Sequence, residues 1–492
     1  MPGDNPPLPT GQSILKSDDW WAVWIGLFVF ILALGPIFEK DLLGWTVQHR
    51  VWTDIGQSVR PISDGYQHLS GIMSAVLTYL FILGLTGLAM AAMGKNLLRY
   101  AVGFTIIFWV VFGCMVACNY AYIAATPEMR IALDIPWSLS LGEKGFIVAI
   151  IIGLIIGNFF PSGAEFLKDA AKPEWFIRTG IVVLGAVIGI KAVGAFGLAS
   201  ALIFRGLCLA IVAQLIYWPI VYFVSRRFFH FTPEWAVPLA FGCSTSGASA
   251  AIATAVAIRA SPQVATILST VIIVFTLVEL QILPRIAGAF LYGEPVVAGA
   301  WIGLAIKTDG GVIGGGAVAD ALIRANALTN LGIRWQEGWV LMTATTTRVF
   351  IDAFIGVWTF LAALIWSAYR LNEEGALDRS KVSPREIWER FPKFIIGFSL
   401  TFLTIVVIGL ANPQMIKAAE TGSSHANALR TIFFSLCFFS VGLAANFRKL
   451  WVVGIGRVIT VYGLCVFGFI LWLGLLICWV FYHGVMPPEI VQ

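Results

Sequence analysis

Long apolar runs that match the thickness of a bilayer recur along this chain. Residues 21–37 read WAVWIGLFVFILALGPI, and comparable runs occupy 72–93, 101–118, 264–284 and 458–482. A helix rises about 1.5 Å per residue, so roughly 20 apolar residues cover the hydrocarbon core. Charged residues are 12% of the 492 and mean hydropathy is +0.86, whereas a soluble domain carries roughly 25% charged residues. The short alternating segments of a β-barrel are absent. The sequence therefore predicts an all-α polytopic membrane protein with about 11–13 spans.

The spans fall near 20–37, 71–93, 101–125, 145–160, 177–194, 199–224, 235–258, 263–285, 298–325, 338–369, 393–412, 428–446 and 452–482. This divides the chain into a polar tail (1–19), N-terminal membrane helices (20–144), transport-core helices with two interruptions (145–369), a polar loop (370–393) and C-terminal membrane helices (394–492). The tail lacks the basic region of a cleaved signal peptide, so the first span is expected to remain. Alternating the spans puts the larger set of basic residues, including Arg226, Arg227 and the loop 370–393, on one side. The positive-inside rule makes that side cytoplasmic, along with the N-terminus, in an inner (plasma) membrane. The loop reads as carrying a surface helix from Ser383–Pro384. Residues 38–70, of mixed charge with spaced aromatics, read as an interfacial amphipathic helix.

The net charge of +5 is accounted for by the basic loops, and no nucleic-acid partner is expected. Most of the seven cysteines fall in apolar runs without a CxxC pair, and the five histidines show no metal-ligand spacing. No cofactor or metal is expected. Nor is an enzyme: the serines at 244–249 form no GxSxG, and no histidine lies in a span to act as base.

Two spans are interrupted. Residues 241–255 read FGCSTSGASAAIATA, placing Ser244, Thr245, Ser246, Gly247 and Ser249 in hydrocarbon, with Gly242 and Gly247 permitting a turn. Residues 306–320 read IKTDGGVIGGGAVAD, with Thr308, Asp309, Gly310 and Gly311 beside Lys307. Non-helical backbone survives at membrane depth only where protein buries it or it lines a cavity. Helix starts exposed by such breaks attract anions. The competing reading is packing: small residues let helices approach, and hydroxyls bond back to their own helix. A third feature is TTTRVFIDAF (345–354), where Arg348 and Asp352 share a helix face. The pair reads either as self-neutralising near the interface or with Arg348 as the candidate cation for a bound anion, and Asp309 and Asp352 are the candidate ion-coupling carboxylates. Arg205 and Glu279 are further charges within apolar runs. RTGIVVLGAVIGIK (178–191) and RTIFFSLCFFSVGLA (430–444) suggest an inverted repeat.

The ordered set RTGIVVLGAVIGIKAVGAFG, FGCSTSGASAAIATA, WIGLAIKTDGGVIGGG, ATTTRVF and FFSLCFFSVGLAAN resembles the YeiH family of sulfate-exporter-type proteins, over roughly 145–455. That family sits in the cation–proton antiporter and anion transporter superfamily. The resemblance implies a NhaA-like inverted-repeat fold, with crossing broken helices in a core and a separate panel. A basic residue at Arg348 fits the family pattern, whereas Lys307-Thr308-Asp309-Gly310 departs from the Asp-x-Thr-Gly of a longer subgroup. The expected function is secondary export of a small anion such as sulfate, coupled to H⁺ or Na⁺. The alternatives are a cation/proton antiporter and a non-transporting membrane subunit. The expected partners are the anion, the coupling ion, the lipid bilayer and, as one option, a second copy of the chain in a homo-oligomer.

Overall fold

The computed structural model describes residues 16–125, 129–130, 133–138, 145–258, 260–355, 357–362, 364–365, 388, 391–445 and 456–490. Among these, ten helices are long and apolar enough to cross a membrane, or eleven if one bent pair counts as a span. The bent pair is Val148–Phe159 with Pro161–Leu167, turned by 118°. Every expected span overlaps a helix, and the two interrupted ones are broken into halves. The surface helix expected at Ser383–Pro384 falls outside the described residues.

The chain divides into two compact units that are discontinuous in sequence: 1–190 with 393–444, and 191–392 with 445–492. The first contains α1 (Asp18–Ala33), α2 (Gly71–Ala92), α3 (Leu97–Cys118), α4 (Gly145–Phe159), α5 (Pro161–Leu167), most of α6 (Pro173–Gly194), and two later helices, Phe394–Ala411 and Ile416–Ala444. Start signals are local: Ser70 accepts from Met73 N and Asn96 from Arg99 N, each answering an orphan amide of a first turn. The closest packing joins α4 to Ile416–Ala444. A Cβ on Gly153 would lie 2.3 Å from Phe439 O, and one on Gly157 2.4 Å from Leu443 O. Only glycine lets two backbones meet this way. The suggested repeat pair, 178–191 and 430–444, falls almost wholly in this unit.

Residues 38–70 are not the amphipathic helix their charge pattern suggested. They form an antiparallel hairpin of β1 (Val47–His49) and β2 (Val59–Pro61), with short 3₁₀ turns around it. Turn formers decide this. Asp54 accepts from Gly56 N and Ser63 from Gly65 N, local bonds that compete with a helix.

The second unit holds α7 (Phe196–Arg227), α8 (Pro233–Ser244), α9 (Ala248–Ala257), α10 (Pro262–Phe290), α11 (Pro295–Ala305), α12 (Asp309–Leu331) and α13 (Trp339–Ala353). Counting the first unit's two later helices as α14 and α15, it also holds α16 (Gly456–Cys465) and α17 (Leu471–Tyr482), joined by one π turn at Val466–Ile470. Proline opens α8, α10 and α11, at the position where its missing N–H costs nothing. Both interrupted spans lie in this unit: α8–α9 and α11–α12.

Candidate functional site

The first break occupies Thr245–Gly247. Gly247 has φ +67°, a left-handed conformation that restarts the chain as α9. Gly242 does not make the turn; it lies inside α8 against Ile272. The second break is extended backbone, with Ile306 at ψ 129° and Thr308 at φ −134°, ψ 147°. The two breaks touch. A Cβ on Gly247 would stand 1.8 Å from the Lys307 carbonyl oxygen. One stripe of α10 packs on both. Ile272 lies against Gly242 and Gly247, Thr276 against Gly311, and Glu279 reaches Lys307.

The hydroxyls divide into two groups. Ser244 donates to Ala240 O (2.7 Å) and Thr245 to Phe241 O (2.6 Å). Their protons are engaged by their own helix, as the packing alternative required. Ser246 and Ser249 pair with each other (2.8 Å) across the start of α9, and Ser249 also contacts Ser246 O (3.3 Å). Ala251 N donates to Gly247 O, so the amides just before it belong to the helix start that has no i−4 acceptor. At the other restart, Thr308 accepts from Gly311 N (3.2 Å) and Asp309 heads α12. Gly310 and Gly311 are buried in that first turn.

The charges converge on the second break. Arg348 places both Nε and Nη2 2.7 Å from Asp309 Oδ1, and Nη1 donates to Ile306 O (3.4 Å). Its Nε is 3.5 Å from Asp352 Oδ1. The sequence left Arg348 open as a fixed cation for an anion or as one half of a neutral pair with Asp352; in the structure Asp309 pairs with it more closely than Asp352 does. Lys307 N donates to Glu279 Oε2 (3.3 Å), while Lys307 Nζ donates to Leu304 O (2.6 Å) and lies 5.3 Å from the Tyr217 ring centroid. Lys307 thereby caps the carbonyl end of α11, and Asp309 faces the amide end of α12. Each charge opposes the local helix dipole. All five ionisable side chains are buried.

Glu279 belongs to this cluster, although sequence singled it out only weakly. The signal available was its spacing from Thr276, three residues earlier on an apolar helix. Asp320, at the end of the second glycine-rich stretch, does not belong. It accepts from Gly338 N and Val340 N (3.0 Å each) and from Arg324 Nε (3.0 Å), holding the start of α13. Arg205 is engaged elsewhere, donating to Phe481 O. No cluster of His, Cys, Asp and Glu suited to a metal occurs among the described residues.

The family model described as Conserved hypothetical protein 698 matches residues 137–461. A UPF0324 membrane protein of Nitrosomonas europaea is 38% identical over 484 residues, covering 97% of this chain and 98% of its own. The chain belongs to the UPF0324 family. Another UPF0324 membrane protein, from Rhodopirellula baltica, is 29% identical over 388 residues, 77% of this chain and 62% of its own. An uncharacterized protein of Archaeoglobus fulgidus is 41% identical over 169 residues, 30% of this chain and 88% of its own. No solved structure matches. The UPF0324 match contains both breaks, Glu279 and Arg348.

Proposed function

We propose that this UPF0324 protein is a secondary active transporter, not an enzyme, and that its cargo is a small anion such as sulfate, exported against H⁺ or Na⁺. The observation that carries the reading is the crossing itself. Two broken helices meet backbone to backbone at Gly247 and Lys307, ringed by buried charge. Unwound backbone and buried ionisable groups at membrane depth are costly, and in membrane proteins they mark transport pathways. The anion is assigned to the start of α9. That turn carries no acidic residue, whereas the start of α12 is already answered by Asp309. Ser246 and Ser249 flank the α9 amides; their mutual bond engages one hydroxyl proton and leaves the other to turn toward an anion. Positive-inside reasoning keeps the N-terminus cytoplasmic in an inner membrane.

One observation favours a cation/proton antiporter as a second reading. Among the described residues, three carboxylates (Glu279, Asp309, Asp352) gather with two cations (Lys307, Arg348), and buried acids at membrane depth are groups that a cation or proton can use. Purified protein in proteoliposomes separates the readings. Counterflow of labelled sulfate, thiosulfate or small carboxylates supports the anion transporter. Collapse of an imposed pH gradient by Na⁺ alone, without anion movement, supports the antiporter. Movement of neither solute refutes both and leaves the non-transporting subunit.

A further inference from the structure

Among the three buried carboxylates, Glu279 is the one that the Arg348 ion pairs leave out among the described residues. Asp309 is gripped by two Arg348 nitrogens and sits at a helix start. Asp352 shares that guanidinium and has further partners. Glu279 uses one oxygen, Oε2, to accept the Lys307 amide; its other oxygen, Oε1, is fully buried with no hydrogen-bond partner among the described residues. An ionised carboxylate accepts only, so this oxygen would carry charge in a dry site without a donor. Two more buried oxygens nearby also lack partners. Thr276 Oγ1 is one turn back on the same face of α10. The Tyr462 hydroxyl belongs to a ring packed 4.9 Å from Phe275, also one turn back, and within electrostatic reach of Glu279. A proton on Oε1 removes that buried charge, and a neutral acid costs far less than a carboxylate to keep in a dry site. The same proton removes one of the three negative charges gathered here among the described residues.

We infer that Glu279 Oε1 is the proton-binding atom of this transporter, with Lys307 and Arg348 as its facing cations and Cys243, Tyr462 and Cys465 as the remaining titratable groups around it. This rests on the transport reading above. The O–H bond forms with a proton delivered by water and breaks by returning it to water; no electrons move. Coupling follows from the other oxygen. Oε2 holds the backbone of the second break at Lys307, whose carbonyl presses on Gly247 of the first. Charging or discharging Glu279 therefore changes the grip on both breaks at once.

Infrared difference spectroscopy on the purified chain, scanned across pH, tests the assignment without requiring transport. The expected result is a protonated-carboxyl band from a dry environment at neutral pH that disappears in Glu279→Gln and persists in Asp309→Asn and Asp352→Asn. Glutamine keeps an acceptor for the Lys307 amide, and Glu279→Asp, which should retain a shifted band, serves if glutamine folds poorly. A band that survives Glu279→Gln, or that vanishes with Asp352→Asn, overturns the inference, as does the absence of any such band. In proteoliposomes, Glu279→Gln should lower the ratio of pH-driven to exchange uptake at least tenfold; an unchanged ratio also overturns it. If the wild type moves no solute while the band behaves as expected, the transport reading fails and the proton site stands.

Discussion

Replacing Gly247 by alanine tests the crossing at its tightest point. Two separate costs apply. Gly247 has φ +67°, and placing an L-residue in the left-handed region costs about 1–2 kcal/mol. The new Cβ would also stand 1.8 Å from Lys307 O and 2.8 Å from Lys307 C. Those are backbone atoms, so relief requires moving the second break, and overpacking of this kind costs about 1–3 kcal/mol more. Gly332 supplies the control. It has φ +69° but nothing within 4 Å of its Cβ position, so Gly332→Ala carries the backbone cost alone. Denaturant or thermal unfolding of both variants in the same detergent should show Gly247→Ala the weaker by about 1–3 kcal/mol. Equal stabilities would refute the backbone contact, and with it the crossing on which the functional reading depends.

Other outcomes follow from the same geometry. Ser246→Ala with Ser249→Ala should weaken anion binding by about 1–3 kcal/mol, whereas Ser244→Ala should leave binding unchanged, because its proton already serves Ala240 O; isothermal titration distinguishes them. Arg348→Met should destabilise the fold by about 3–5 kcal/mol by leaving Asp309 unpaired, and adding Asp309→Asn should recover part of that loss in a double-mutant cycle. His49, in the hairpin outside the spans, is lowered from 6.5 to about 4 by burial. The unfolded hairpin therefore binds a proton that the folded one refuses, so stability falls as pH drops from 6.5 toward 4 and levels off below. Hydrogen exchange of hairpin amides should show this slope, and His49→Phe should abolish it. A cysteine placed within 370–387 should resist an impermeant thiol reagent added to intact cells, and ready labelling would reverse the topology.

The positions of the spans were legible because hydrocarbon thickness sets their length and apolarity. Both breaks were legible because glycine and hydroxyls at membrane depth need a reason. The partner of each break was not. No local rule says that Gly247 meets Lys307 sixty residues later, since that contact is a product of packing. The same holds for Arg348, whose helix spacing offered Asp352 as its partner while its nearer one, Asp309, lies thirty-nine residues earlier. Glu279 was underweighted because an isolated acid in a long apolar helix has no motif around it; its role depends on Lys307 N, a backbone atom invisible to pattern. The segment 38–70 misled because charge spacing resembled a helix face, while Asp54, Gly56, Ser63 and Gly65 were committing the chain to turns.

The crossing has one electrical property that its side chains inherit. Helices α8 and α11 arrive at it with their carbonyl ends, and α9 and α12 leave it with their amide ends. Two partial negative and two partial positive poles thus meet within a few residues, and their fields largely cancel. The backbone field of the crossing as a whole is therefore weak, although each helix end keeps its local sign. On the proposed transport reading, the charge that a passenger meets there is set chiefly by the side chains of Lys307, Asp309 and Glu279.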